Sequence, residues 1–226
     1  MASSNSEYDG HVSPGGPAQT RELPGLTIRK LAVSSMSNNV YLLTDRRTNR
    51  SLLVDAADDW PAIAALIEQA DTTVETVVTT HQHWDHVRAL EDAVRHTGAH
   101  TVAGAADAAE LPVPVDRPVE HGEQVTVGEA TFDVVHLRGH TPGSIALAYA
   151  DPAGGTHLFS GDSLFPGGVG ATNHYAYQSF SQLIDDVEHR IFDVYADDTW
   201  VYPGHGDDTT LGAERSSVPQ WRERGW

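Results

Sequence analysis

The chain has 226 residues, 39% of them apolar and 20% charged, enough for one large α/β domain with a sizeable core. Its 14 Lys and Arg against 32 Asp and Glu leave a formal charge of -18, which repels a phosphate backbone and argues against a nucleic-acid partner. With no cysteine, disulfides, thiol nucleophiles, zinc fingers and iron–sulfur clusters are excluded, and any metal must sit on nitrogen and oxygen.

Residues 1–24 are rich in Ser, Gly and Pro without apolar periodicity, which predicts a flexible N-terminal tail ahead of one catalytic domain over residues 25–226. The N-terminus lacks the basic and apolar regions of a signal peptide, and no run approaches the ~20 apolar residues of a membrane span. The expectation is a cytoplasmic protein without a membrane partner; its oligomeric state is left open.

From Leu26 onward, short apolar runs alternate with turn residues. Asn39–Thr44 and Ser51–Asp55 read as a hairpin around the polar turn 45–50. Asp58 and Asp59 before Pro61, with Ile63, Leu66 and Ile67 at helical spacing, predict a helix over about 60–69. A strand over Val74–Thr80 runs into a histidine cluster, and Val87, Leu90 and Val94 then mark a helix ending at Gly98. Strands follow near 101–104, 124–127, 130–137, 144–149 and 157–160, then a helix carrying Phe180, Leu183, Ile184 and Val187, then a strand at 199–202. This order fits two sheets with helices packed outside.

The sharpest signal is Thr80-His81-Gln82-His83-Trp84-Asp85-His86, three imidazoles and a carboxylate crowded where a strand ends. In extended chain, residues two apart point the same way, so His81 and His83 can grip one cation while Asp85 and His86, past the bend, reach another. Further candidate ligands stand in glycine-flanked turns: His140 in Gly139-His-Thr-Pro-Gly143, Asp162 after Ser160-Gly161, and His205 in Pro203-Gly-His-Gly206. Asp162 is the natural carboxylate to bridge two ions. Singly, each of these three would read as a turn residue; the cluster upstream reverses that reading. Imidazole with carboxylate favours zinc first, or iron or manganese, over calcium and magnesium. Two such cations can activate a shared water near neutral pH and stabilise an oxyanion.

Asp55, closing an apolar strand, reads either as an acid that orients one of the ligands or as a turn-former before the helix start at Asp58 and Asp59. Among the remaining histidines only His174 has notable company, in the stretch from Gly167 to Tyr177. There Asn173, His174 and Tyr175 are candidate substrate contacts, with an ordinary connection to a helix starting near Ser179 as the alternative reading, and Trp84 is a candidate pocket wall.

Together, Thr80–His86, Gly139–Ser144, Ser160–Asp162 and Tyr202–His205 resemble the metallo-β-lactamase superfamily, in particular its glyoxalase II-like branch, over about residues 26–210. The resemblance implies an αββα sandwich of two mixed sheets with the site at one edge. It implies two divalent metal ions, one held by His81, His83 and His140 and the other by Asp85, His86 and His205, with Asp162 between them and Asp85 assisting proton transfer. It further implies hydrolysis of a thioester or ester of a small acyl compound. The residues that mark the branches differ: Ala171 replaces the basic residue and Asp207 the tyrosine of glyoxalase II proteins, and Phe165 replaces the tyrosine of lactone hydrolases. Lactone hydrolysis and a mononuclear iron dioxygenase acting on a thiol persulfide are the alternatives within the family. A metal-stabilised binding domain is the alternative outside it.

Overall fold

A computed structural model describes residues 8–225. Its first sheet runs in chain order through seven strands: β1 (Gln19–Glu22), β2 (Leu26–Val33), β3 (Asn38–Asp45), β4 (Arg50–Val54), β5 (Thr73–Thr79), β6 (His100–Gly104) and β7 (Arg117–Val119). Strands β1 to β4 pair antiparallel, and β4 to β7 pair parallel. The parallel part needs crossovers. Helix α1 (Trp60–Ala70) links β4 to β5, and α2 (Leu90–Thr97) links β5 to β6.

The second sheet contains β8 (Gln124–Val127), β9 (Ala130–His136), β10 (Ile145–Ala150) and β11 (Thr156–Gly161). A two-stranded ribbon, β12 (Leu164–Phe165) with β13 (Gly168–Val169), stands apart from it. After α3 (Phe180–Val187), β14 (Trp200–Pro203) and β15 (Thr209–Thr210) complete the sheet, and α4 (Leu211–Glu214) and α5 (Val218–Arg224) follow. Because β14 is parallel to β11, and β9 and β11 both run antiparallel to β10, the C-terminal ends of β9, β11 and β14 share one edge.

Alternation along the strands decides the layers. Tyr41, Leu43, Leu52 and Val54 face Phe132, Val134, Leu147, Phe159 and Tyr202 between the sheets. The intervening Leu42 and Leu53 face Ile63 and Leu66 of α1 and Leu90 and Ala93 of α2. On the far side, Ala146, Ala148 and Leu158 pack on Leu183, Ile184 and Val187 of α3, with Leu211 and Trp221. The result is the expected αββα sandwich. Among the described residues, no helix is long and apolar enough to cross a membrane.

The expected helices and central strands are present, but the described part of the expected N-terminal tail, from Tyr8 onward, is ordered. Residues 1–7 lie outside the described residues, whereas the following stretch is built into the fold: Gln19–Glu22 pairs with β2, and Tyr8 packs on Trp200 and Tyr202. The anchor is Lys30, the only lysine of the chain and 0% exposed. Its ammonium donates to Gly10 O (2.7 Å), Gly206 O (2.7 Å) and Asp208 Oδ1 (2.6 Å). Asp208 also accepts from Tyr8 Oη (2.6 Å) and Trp200 Nε1 (2.8 Å). Composition hides such an anchor, because a polar segment ordered by one buried ion pair shows no apolar period.

The other cations are all arginine, so a charge of -18 is spread over a surface without lysine. Self-repulsion of that surface weakens as salt screens it. Raising KCl from about 0.05 to about 1 M is expected to raise the melting temperature by roughly 5 °C or more, read by circular dichroism. A melting temperature independent of salt would show that the acidic surface costs the fold nothing.

Candidate metal centre

Each sequence-predicted ligand sits just beyond the C-terminal end of a strand: His81 and His83 after β5, His140 after β9, Asp162 after β11 and His205 after β14. A short 3-10 turn, Trp84–His86, swings Asp85 and His86 back toward the same edge. His81, His83 and His140 form one triad and Asp85, His86 and His205 a second, the ligand atoms of each lying within 4.8 Å of one another. Asp162 stands between them. Its Oδ2 lies 3.6 Å from His140 Nε2 and 3.4 Å from His205 Nε2, and its Oδ1 lies 3.4 Å from His86 Nε2. Close approach at this point requires glycine: a Cβ on Gly204 would fall 2.1 Å from Asp162 Oδ1, and one on Gly170 would fall 1.8 Å from Asp162 O.

Hydrogen bonds assign one nitrogen of every ring to the scaffold. His86 Nδ1 bonds Asp55 Oδ2 (2.9 Å), His140 Nδ1 bonds Ala171 O (2.8 Å) and His205 Nδ1 bonds Met36 O (2.9 Å). His81 Nδ1 bonds Thr80 Oγ1 (3.0 Å), and His83 is held the other way round, through Nε2 to Tyr177 Oη (3.0 Å). These partners hold each ring with its other nitrogen turned toward the centre. His81 Nε2, His140 Nε2 and Asp162 Oδ1 are buried with no hydrogen-bond partner, and the Nε2 atoms of His86 and His205 face each other at 3.1 Å. Buried polar atoms without partners, and two imidazole nitrogens set against each other, are costly without a cation. The donor set therefore fits metal ions.

Electrostatics separate the two triads. Burial pushes His81 well below the ordinary imidazole value and lowers His140; burial, then His140, brings His83 down to about 4. Those rings are neutral and ready to ligate. Burial also disfavours charge on His86 and His205, yet carboxylates overcome it: Asp162 and Asp55 raise His86 well above the usual value, and bonds to Asp162 and Asp85 lift His205 to about 10. Burial would raise Asp85 and Asp162, but the two histidines hold both below the usual carboxylate range. Divalent cations binding at the second triad would displace those protons, so their affinity is expected to fall as the pH falls.

Several groups that orient the ligands are invisible to motif reading. Asp55, whose role the sequence did suggest, also accepts from Thr80 N and Thr80 Oγ1, both at 2.7 Å, and holds a left-handed φ of 55°. Asn38 Nδ2 donates to Asp85 Oδ2 (2.9 Å). Asp107 joins two ligand turns, accepting from Gln82 N (3.0 Å) before His83 and from Thr141 Oγ1 (2.6 Å) and Gly143 N (2.6 Å) after His140. The His205 turn is clamped from the first sheet by Lys30, by Asn39 Nδ2 to Gly206 O (2.9 Å) and by Tyr41 Oη to Pro203 O (2.6 Å). Asn38, Asn39 and Asp107 carry no local signature, because their partners are distant in sequence. Exchanging Asp55→Asn puts an amide donor against Thr80 or His86 and is expected to weaken metal affinity roughly 10–100-fold in chelator competition. Unchanged affinity would assign Asp55 to backbone geometry alone.

A cavity of about 500 Å³ opens on the centre, lined by Met36, His83, Trp84, Asp85, His140, Asp162, Ala171, His174, Tyr175, Gln178 and His205. His174, Tyr175 and Trp84 thus stand where the sequence suggested. Asn173 does not; it lines a neighbouring hollow with Val169, Gly170, Ala171, Thr172 and Gly225. Asp207 is exposed and pairs with His11 (2.6 Å), and Phe165 packs 6.3 Å from the His205 ring.

The metallo-beta-lactamase superfamily model matches residues 35–211. Hydroxyacylglutathione hydrolase of Rhodospirillum rubrum is 36% identical over 145 residues, 64% of this chain and 54% of that protein. The chain spans about half the length of the curated relatives it matches. The crystal structure of ETHE1 from Myxococcus xanthus aligns with a TM-score of 0.75 at 29% identity, over 87% of this chain and 84% of that one. TTHA1623, solved in a di-iron-bound form, aligns with a TM-score of 0.72 at 29% identity, over 84% of this chain and 98% of that one. Fold, ligand geometry and these likenesses agree: the chain belongs to the metallo-beta-lactamase superfamily, and it is similar to members of the glyoxalase II-like branch.

Proposed function

We propose that this chain is a dinuclear metal-dependent hydrolase that cleaves a thioester or ester of a small acyl compound. The observation that carries the reading is Asp162, a largely buried carboxylate lying between two triads of candidate ligands. The relatives named hydroxyacylglutathione hydrolase support the thioester. When bound, two divalent cations would lower the pKa of water and polarise the carbonyl.

The residues do the rest. His81, His83 and His140 on one side, and Asp85, His86 and His205 on the other, would hold the ions, and Asp162 would span them. Zinc is the first choice for this nitrogen and oxygen set; the di-iron form of TTHA1623 supports iron as the alternative. Water adds to the carbonyl carbon, the bond to sulfur or oxygen breaks, and acid and thiol or alcohol leave. Asp85, kept ionised by His205 and His86 and oriented by Asn38, is placed to take the proton from water and return it to the leaving group. His174 and Tyr175 contact the substrate.

The test is a panel of thioesters, esters and lactones on metal-loaded protein, with oxygen uptake on a persulfide measured in parallel. Hydrolysis of thioesters without oxygen uptake supports the reading. Oxygen uptake with stoichiometric iron and no hydrolysis would replace it by the dioxygenase alternative, for which the likeness to ETHE1 speaks.

A further inference from the structure

Among the described residues, the exposed large apolar side chains are Met36, Trp84, Tyr175, Tyr177 and Val194. All but Val194 gather at the metal cavity: Met36, Trp84 and Tyr175 line it, and Tyr177 stacks on Tyr175. Clustering of that kind on an otherwise charged surface marks a binding face rather than chance exposure.

The rings are also ordered. Tyr175 and Tyr177 lie 5.2 Å apart and 5° from parallel, and Tyr175 stacks on His83 at 5.0 Å and 27°. Tyr177 is fixed further by its hydroxyl on His83 Nε2. Tyr175, with 44% of its surface still exposed, thus presents an aromatic surface held by the metal-ligand scaffold.

Charge completes the picture. Among the described residues, no Lys or Arg lines the cavity, and the guanidinium of Arg88, lying 3.9 Å over the Trp84 ring, donates to Asp58 at 2.7 Å. A carboxylate carried into this cavity finds no Lys or Arg side chain to pair with, and the formal charge of -18 repels it on approach.

We infer that the cavity selects thioesters whose thiol half is uncharged and carries a planar apolar group, which Tyr175 and Trp84 receive, over thioesters of acidic peptide thiols such as glutathione. This specificity rests on the hydrolase reading above, but its binding component can be measured separately.

Two comparisons on metal-loaded protein test it. In turnover, S-benzyl thioacetate is expected to exceed S-acetylglutathione in kcat/KM by about tenfold or more. In calorimetry, the non-hydrolysable ketones benzylthioacetone and S-acetonylglutathione are expected to show the same order of affinity. The Tyr175→Ala and Trp84→Ala variants are each expected to pull that affinity ratio toward unity. Equal or tighter binding of the glutathione ketone, or a ratio unmoved in both variants, overturns the inference. Failure to hydrolyse any thioester while the binding preference persists would remove the hydrolase reading and leave the selectivity of the cavity standing. Faster turnover of the glutathione thioester would keep the reading and remove the selectivity.

Discussion

Exchanging Asp162→Ala is expected to take the protein from about two bound metal ions per chain to fewer than one, and to lower thioester turnover by roughly a thousandfold or more. The reason is position. Among the described residues, Asp162 is the one carboxylate within ion-pair distance of histidines from both triads, so its loss would remove a ligand from each ion and the negative charge that would offset their repulsion. Asp162 is also the group whose Oδ1 lacks any hydrogen-bond partner although buried, so the alanine relieves rather than creates a polar vacancy and the fold is expected to survive. Elemental analysis and circular dichroism on the same sample check both halves. A folded variant retaining both ions and most turnover would contradict this assignment.

Changing Lys30→Met is expected to cost about 3–5 kcal/mol of stability in urea unfolding of the metal-loaded protein. Burial lowers Lys30 and raises Asp208, and their mutual attraction opposes both shifts; removing the ammonium leaves Asp208 buried without its charge partner. Adding Asp208→Asn to the variant is expected to recover part of the loss, since the amide carries no charge to bury. The same change frees Gly206, next to ligand His205, from one of its two donors, so the second ion is expected to bind more weakly. A loss below about 1 kcal/mol would show the pair to be incidental.

Local chemistry made much of this protein legible in its sequence. Two sheets with helices outside were legible from the order of strands and helices, and the resemblance implied the αββα sandwich. The candidate ligands stood out at strand ends and in glycine turns, whereas the uniformly apolar Tyr41-Leu42-Leu43 does not tell which side chain faces which layer. Asp55 was legible because it terminates an apolar strand. Residues whose meaning comes from distant partners stayed hidden. Lys30 reads as a surface charge until Asp208 is folded onto it, and Asn38 as a turn residue until Asp85 arrives. The stretch 8–24 reads as a tail because β1 has an alternating, half-exposed pattern too short to register. The placement of Asn173 was missed for a related reason: a glycine-rich segment carries no periodicity from which to tell which hollow a side chain enters.

The most direct test is a titration of chelator-treated, refolded protein with zinc while thioester hydrolysis is followed. Activity is expected to rise and saturate at about two equivalents per chain, with protons released as His86 and His205 exchange them for metal. Full hydrolysis by metal-free protein, or saturation with two ions bound and no hydrolysis of any thioester or ester, would contradict a dinuclear hydrolase.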